Sequence, residues 1–356
     1  MRRFIFFLTP VAMAAAMMIA SCTPNAVSVV NLVQVTTLAG DNTGYTNGLN
    51  TGTSFKQPSG VATDAAGNVY VADAGNNLIR EISPSGVVTT LAGGGNTPFS
   101  PNGTGTAASF NFPTGVAVDA AGNVYVADAG NNLIRKISPS RVVTTLAGGS
   151  HNPISPDGTG TAASFSNPTG VAVDAAGNVY VADADNNLIR KISPSGVVTT
   201  LAGILNSNSG GLALNLYNPT GVAVDAAGNV YAAEQGNDLI RKISPSGVMT
   251  ILAGAGNCCS GSVNGVGMAA RFASPEGVAV DIAGNVYVAD TYNNLVRKIS
   301  PSGVVTTLAG NGAVGSVNGK GFDASFNYPT GVAVDAEGNV YVADTYNNLI
   351  RKISKQ

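Results

Sequence analysis

The chain has 356 residues, with 18 Lys+Arg against 20 Asp+Glu, one histidine and a formal net charge of −2. That balance argues against a nucleic-acid partner, which needs a basic footprint to displace phosphate counterions. The single histidine, His151, excludes a three-histidine zinc site.

Taken from the start, Arg2 and Arg3 precede an uncharged apolar run over residues 4–20, the pattern of a secretory signal. The run is short for a spanning helix, which needs about 20 apolar residues. Ile19-Ala20-Ser21-Cys22 resembles the lipobox of bacterial lipoproteins, in which the cysteine is diacylated on sulfur and becomes the new N-terminus. Residues 1–21 are therefore expected to be a lipoprotein signal peptide, residues 22–26 the lipidated Cys22 and a short tether, and residues 27–356 one folded domain. Several acyl chains would anchor the protein stably. Thr23 follows the cysteine, where an Asp would resemble an inner-membrane retention signal, so the expected location is the bacterial envelope, lipid-anchored at the outer membrane. Loss of Arg2 and Arg3 leaves a net charge near −4.

Residues 27–40 end in VQVTTLAG, like the fourth strand of a later unit, as in residues 142–148, VVTTLAG. From there a unit recurs whose clearest copy is residues 168–203, PTGVAVDAAGNVYVADADNNLIRKISPSGVVTTLAG. Its opening glycine falls at Gly60, Gly115, Gly170, Gly221, Gly277 and Gly331, at spacings of 55, 55, 51, 56 and 54. Periods this long signal a propeller or a solenoid. Within the unit, strands are predicted over 170–174, 179–183, 188–193 and 197–202, rich in Val, Ile, Tyr and Thr and separated by Asp-, Gly- and Pro-containing turns. The second strand is apolar on both faces, as a sheet between two other sheets requires.

This unit, written YVADTYNNLVRKISPSGVVTTLAG over 287–310, resembles the NHL-repeat family of β-propellers. The resemblance implies an all-β fold, a six-bladed β-propeller of four-stranded antiparallel blades. The last unit stops at Gln356, where its fourth strand is due, so the N-terminal strand is expected to complete the last blade and close the ring. NHL propellers serve as sensors or interaction modules, and similar propellers include lyases and lactonases that hold metal ions.

Loops from each fourth strand to the next blade share a face with the loops between second and third strands, and most of the sequence variation falls there. The phenylalanines in these loops (Phe55, Phe110, Phe165, Phe272, Phe326) are expected to plug between blades. Two recurring acids read as structural. Asp64, Asp119, Asp174, Asp225, Asp281 and Asp335 open hairpins as Asx turns. Asp73, Asp128, Asp183, Glu234, Asp290 and Asp344 each precede an Arg by seven positions, which suggests carboxylate–guanidinium bridges with two parallel hydrogen bonds. Asp157-Gly158-Thr159-Gly160 lacks the alternating acids of a calcium loop.

Departures from the repeat locate the candidate site. Blade 4 reads YAAEQGNDLIRKI, placing Glu234, Gln235 and Asp238 on the variable face; Arg271 follows, and Glu276 replaces the usual Thr at the start of blade 5. This sector between blades 4 and 5 is the candidate ligand-binding site, extended by Tyr292, Tyr346 and Lys320. Adjacent Cys258 and Cys259 leave open a strained vicinal disulfide, two thiols or an intermolecular bridge. The expected function is a membrane-anchored scaffold that binds a protein, peptide or glycan at the cell envelope. The alternative is a metal-dependent hydrolase or lyase at the channel mouth, in which a divalent cation such as calcium is held by carboxylates including Glu276.

Overall fold

A computed structural model describes residues 33–95, 102–149, 157–205, 215–256 and 259–356. The signal peptide, Cys22, the tether, His151 and Cys258 lie outside the described residues. Six antiparallel sheets repeat one plan, shown by blade 3: Pro168–Val173, Val179–Asp183, Leu188–Ile192 and Val197–Gly203 pair in sequence order. First strands line a central channel and pack side by side around the ring, with that of blade 6 returning to that of blade 1.

The core lies between blades, because every second strand is buried along its whole length, as in Val179–Asp183. Val179 and Val181 face blade 2, where they meet Ala117, Tyr125 and Phe165, while Tyr180 and Ala182 face Val222 and Val230 of blade 4. Six such layers close the ring. As expected, the N-terminal strand Val33–Ala39 pairs with the last strand, Leu349–Lys355, joining Val35 to Ile353.

The blades are not simply four-stranded. Two-residue strands such as Gly158–Thr159 run along the outer strand of the blade that follows them, and each leads into a short 3₁₀ turn. Five of the six sheets carry this fifth strand among the described residues. Each one pairs two residues at the start of the outer edge, Val197 and Val198 in blade 3, and so shortens the length of strand left unpaired there.

The repeated phenylalanines are buried as expected. Each of Phe55, Phe110, Phe165, Phe272 and Phe326 also lies beneath a guanidinium, with Arg190 5.4 Å from the Phe165 ring centre. Blade 4 has Leu216 in this position, equally buried. The acid–arginine bridges form in all six blades, but not with two parallel hydrogen bonds. Arg190 Nη1 meets Asp183 Oδ2 at 3.0 Å and the Ser164 carbonyl at 3.2 Å, while Nη2 reaches Asp157 at 2.8 Å. The second Asp183 oxygen accepts from the Ser166 N–H and from Asn186. The fork is spread over three segments because the incoming loop also needs donors for its buried carbonyl oxygens. Asp157 thus belongs to this bridge and to no calcium loop.

The opening glycines are required by close approach. A Cβ on Gly170 would stand 2.5 Å from the Thr220 carbonyl oxygen, and one on Gly115 the same distance from that of Thr169. Gly170→Ala must push two blades apart and is expected to destabilise the fold by about 1–3 kcal/mol. Asp183→Ala takes from the buried Arg190 its buried carboxylate, leaving only the half-exposed Asp157 as counter-charge, and is expected to cost about 3–5 kcal/mol. Thermal melts followed by circular dichroism would show both losses, with Asp183→Ala the lower of the two.

Candidate functional site

The variable face is built from a repeated turn. After each second strand the chain makes a 3₁₀ turn ended by a residue in the left-handed region, Asn187 at φ 59° in blade 3 and Asp238 at φ 56° in blade 4. Asn and Asp tolerate this conformation better than other residues with side chains. The side-chain oxygen then accepts the N–H that precedes the next blade's first proline, Asn187 from Asn218 at 2.8 Å and Asp238 from Ser274 at 2.7 Å. Asp238 performs the structural task of an asparagine while adding a carboxyl, which burial pushes upward in pKa against the Ser274 hydrogen bond.

On this face the channel opens into a cavity of about 140 Å³ ringed by Ser59, Thr114, Thr169, Thr220, Glu276 and Thr330. Thr114, Thr169, Thr220 and Thr330 each donate a hydroxyl to the carbonyl of the next blade, at 2.8–3.1 Å. Glu276 breaks this pattern. Gln235 donates from Nε2 to its Oε1 at 3.1 Å, and Asn218 donates to the Gln235 carbonyl oxygen at 2.5 Å. The Glu276 carboxyl keeps a path to solvent along the channel yet is enclosed by protein. Burial pushes it up to about 7, opposed by the Gln235 hydrogen bond.

Beside the mouth lies a more open cleft of about 710 Å³ walled by Asp185, Tyr217, Asn218, Gln235, Asp238 and Tyr292. Tyr217 lies against Gly236, where any Cβ would collide with the ring. Tyr292 is 58% exposed and meets Tyr328 edge-on at 5.2 Å; Tyr328 in turn meets Tyr346, 54% exposed, at 4.8 Å. The result is a shelf of rings running from the cleft across blades 5 and 6.

Of the residues picked from sequence, the structure brings together Gln235, Asp238 and Glu276, adjoined by Tyr292 and Tyr346. Glu234 is fully buried: Oε2 meets Arg241 Nε at 2.5 Å, and Oε1 accepts from the Tyr217 N–H and Asn237. One methylene longer than Asp, it reaches a different guanidinium nitrogen and presents nothing to a ligand. Arg271 is exposed and lies outside both cavities. Lys320 sits on the outer edge strand beside Gln34. Cys259 is half-buried, and its neighbour Cys258 lies outside the described residues. Asp185, Tyr217 and Tyr328 were missed, although ADNN for AGNN in blade 3 is a departure of the kind that singled out blade 4. The hairpin acids form the expected Asx turns: Asp174 accepts from Ala176 N, Asn178 N, Asn178 Nδ2 and Tyr180 OH at 2.8–3.0 Å. Partial burial would raise its carboxyl, but these donors hold it below the ordinary value.

Among the described residues no three His, Cys, Asp or Glu side chains converge to hold a metal ion. At the channel mouth one carboxylate stands alone, with one oxygen already engaged by Gln235, whereas calcium takes six to eight oxygens and several carboxylates. The residues present do not fit the divalent cation considered for this site.

The fold and site define a closed six-bladed propeller with an asymmetric sector at its channel mouth. A family profile described as NHL repeat matches residues 55–82, 110–137, 165–192, 272–299 and 326–353. NHL repeats thus recur in five of the six blades, and the chain is similar to proteins that carry the same repeat. It is 29% identical over 334 residues to NHL repeat-containing protein 2 of Bos taurus, covering 83% of this chain and 46% of that protein. It is also 29% identical over 318 residues to Protein SUPPRESSOR OF QUENCHING 1, chloroplastic, of Arabidopsis thaliana, covering 87% of this chain and 26% of that one. The chain spans less than half the length of these relatives. Among solved structures it resembles an auxiliary nutrient binding protein from Bacteroides thetaiotaomicron VPI-5482 (TM-score 0.66, 19% identity, 91% of this chain and 77% of that chain). It also resembles a streptogramin B lyase (TM-score 0.57, 12% identity, 91% and 98%). These likenesses show the fold.

Because the folded pKa of Glu276 exceeds its ordinary 4.5, the fold disfavours the ionised form. The cost is absent below about pH 4.5, grows as pH rises toward 7 and is constant above. Glu276→Thr, which restores the repeat, should raise stability by about 1–3 kcal/mol at pH 8 and much less at pH 5, as paired thermal melts would show.

Proposed function

We propose that this propeller is a binding module whose ligand, an extended peptide, protein segment or glycan, lies along the cleft and tyrosine shelf over blades 4–6. The observation that carries this reading is the shelf itself. Tyr292, Tyr328 and Tyr346 form a contiguous run of partly exposed rings on a face whose corresponding turn positions in blades 1 and 2 are Gly75 and Gly130. Rigid aromatic surface offers large contact area at low entropy cost and stacks on sugar faces or side chains. The binding role in the name of the Bacteroides neighbour agrees with this reading.

The module is proposed to act at a bacterial envelope, carried by acyl chains on Cys22. Support comes from Arg2 and Arg3, the apolar run and the residues before Cys22. Among the described residues no helix is long and apolar enough to cross a membrane.

Two experiments test the proposal. Glycan arrays and peptide libraries screened with the soluble domain should give ligands whose affinity falls about tenfold or more in Tyr292→Ala and Tyr346→Ala; undiminished binding in both would place the ligand elsewhere. Cys22→Ser should move the protein from the membrane fraction to the soluble fraction, and unchanged fractionation would refute the anchor.

A further inference from the structure

We infer that the channel mouth is a receptor for a single primary ammonium group, held by Glu276 Oε2 within the ring of threonine hydroxyls. The inference stands apart from the tyrosine shelf, since it rests on the channel wall alone.

The ring is an acceptor surface. Each hydroxyl of Thr114, Thr169 and Thr220 has its proton directed at a neighbouring carbonyl, while that of Thr330 is shared between the Ser59 carbonyl and Thr345; the three directed hydroxyls leave oxygen lone pairs for anything entering the mouth. An ammonium carries three donors and no acceptor, the complement of such a ring. A ligand hydroxyl or amide would also bring acceptors, and among the described side chains of the cavity wall only Ser59 has a hydroxyl proton not directed at a carbonyl.

Glu276 supplies the charge and shows signs of being built in. Its Oε1 is fixed by Gln235, whose own amide is fixed by Asn218, while Oε2 has no partner among the described residues. Gln235 stands where other blades have Ala74, Ala129, Ala184, Thr291 and Thr345, and Glu276 where they have Ser59 or Thr. Two departures from sixfold repetition, in adjacent blades and 41 positions apart, meet in one hydrogen bond. A carboxylate enclosed by protein with an open oxygen is costly unless a cation completes it. The cavity of about 140 Å³ admits a group the size of an amine with part of its alkyl stem. A lysine side chain or a peptide N-terminus lowered from the variable face has the right shape and sign.

The test is calorimetric titration of the soluble propeller with Nα-acetyl-lysine N-methylamide and with its Nε-acetylated, neutral analogue. Among the described residues Glu276 is the only ionisable side chain on the cavity wall, and the adjoining cleft holds Asp185, Asp238, Tyr217 and Tyr292. The charged probe should bind at least about tenfold more tightly than the neutral one. Its affinity should fall about tenfold from pH 8 to pH 6 as a carboxyl with a pKa near 7 takes up its proton, while the probe itself stays charged. Glu276→Gln and Glu276→Thr should both lose this binding and its pH dependence while melting no lower than the wild type; Tyr292→Ala should keep it. Equal binding of the two probes, binding unchanged in Glu276→Thr, or no saturable binding by the folded protein up to about 10 mM probe would each overturn the proposal. So would displacement of the charged probe by millimolar Ca²⁺ in the wild type but not in a control with Mg²⁺, which would reassign the site to a metal.

Discussion

A buried arginine in every blade is the contact on which the architecture rests. Its guanidinium joins the end of the second strand, the third strand that carries it, and the loop arriving from the preceding blade, above an aromatic ring in five blades of six. A charge with no access to water must be matched by fixed partners, so the loop that brings those partners is held in place. That loop forms the variable face. A scaffold that fixes its loops by buried charge can let their exposed residues change while their backbone stays put.

The second constraint acts at the centre. Six inner strands converge until glycine meets a neighbouring carbonyl, and the threonine hydroxyls beside them bridge blade to blade. Sixfold packing of this kind tolerates few exceptions, which gives the exception at blades 4 and 5 its meaning. Glu276 gives up the hydroxyl-to-carbonyl bond that Thr would make and gains the Gln235 amide. The neighbouring blade carries further departures, Leu216 for Phe and Glu234 for Asp, and it falls outside the residues matched by the repeat profile. In those two positions the blade preserves the repeat's packing with different atoms; in Gln235 it does something new.

Periodicity, turn residues and the truncated last unit determined the ring, its six blades and its closure by residues before the first full repeat, because strand period and interblade packing are written into every copy. The same repetition identified Asp183 and Arg190 as partners and Asp174 as a turn residue. What only the tertiary structure decided was orientation. Glu234 and Gln235 are consecutive and looked alike as candidates, yet the strand ends at Glu234, which turns toward Arg241 in the core, while Gln235 opens the 3₁₀ turn and meets Glu276 at the channel. The shelf of Tyr292, Tyr328 and Tyr346 joins side chains from different turns and a loop of two blades, and no spacing in one chain shows that they touch. Identity and period set which residues are available; the direction of each side chain, and the company it keeps, follow from the curvature that brings six blades around one axis.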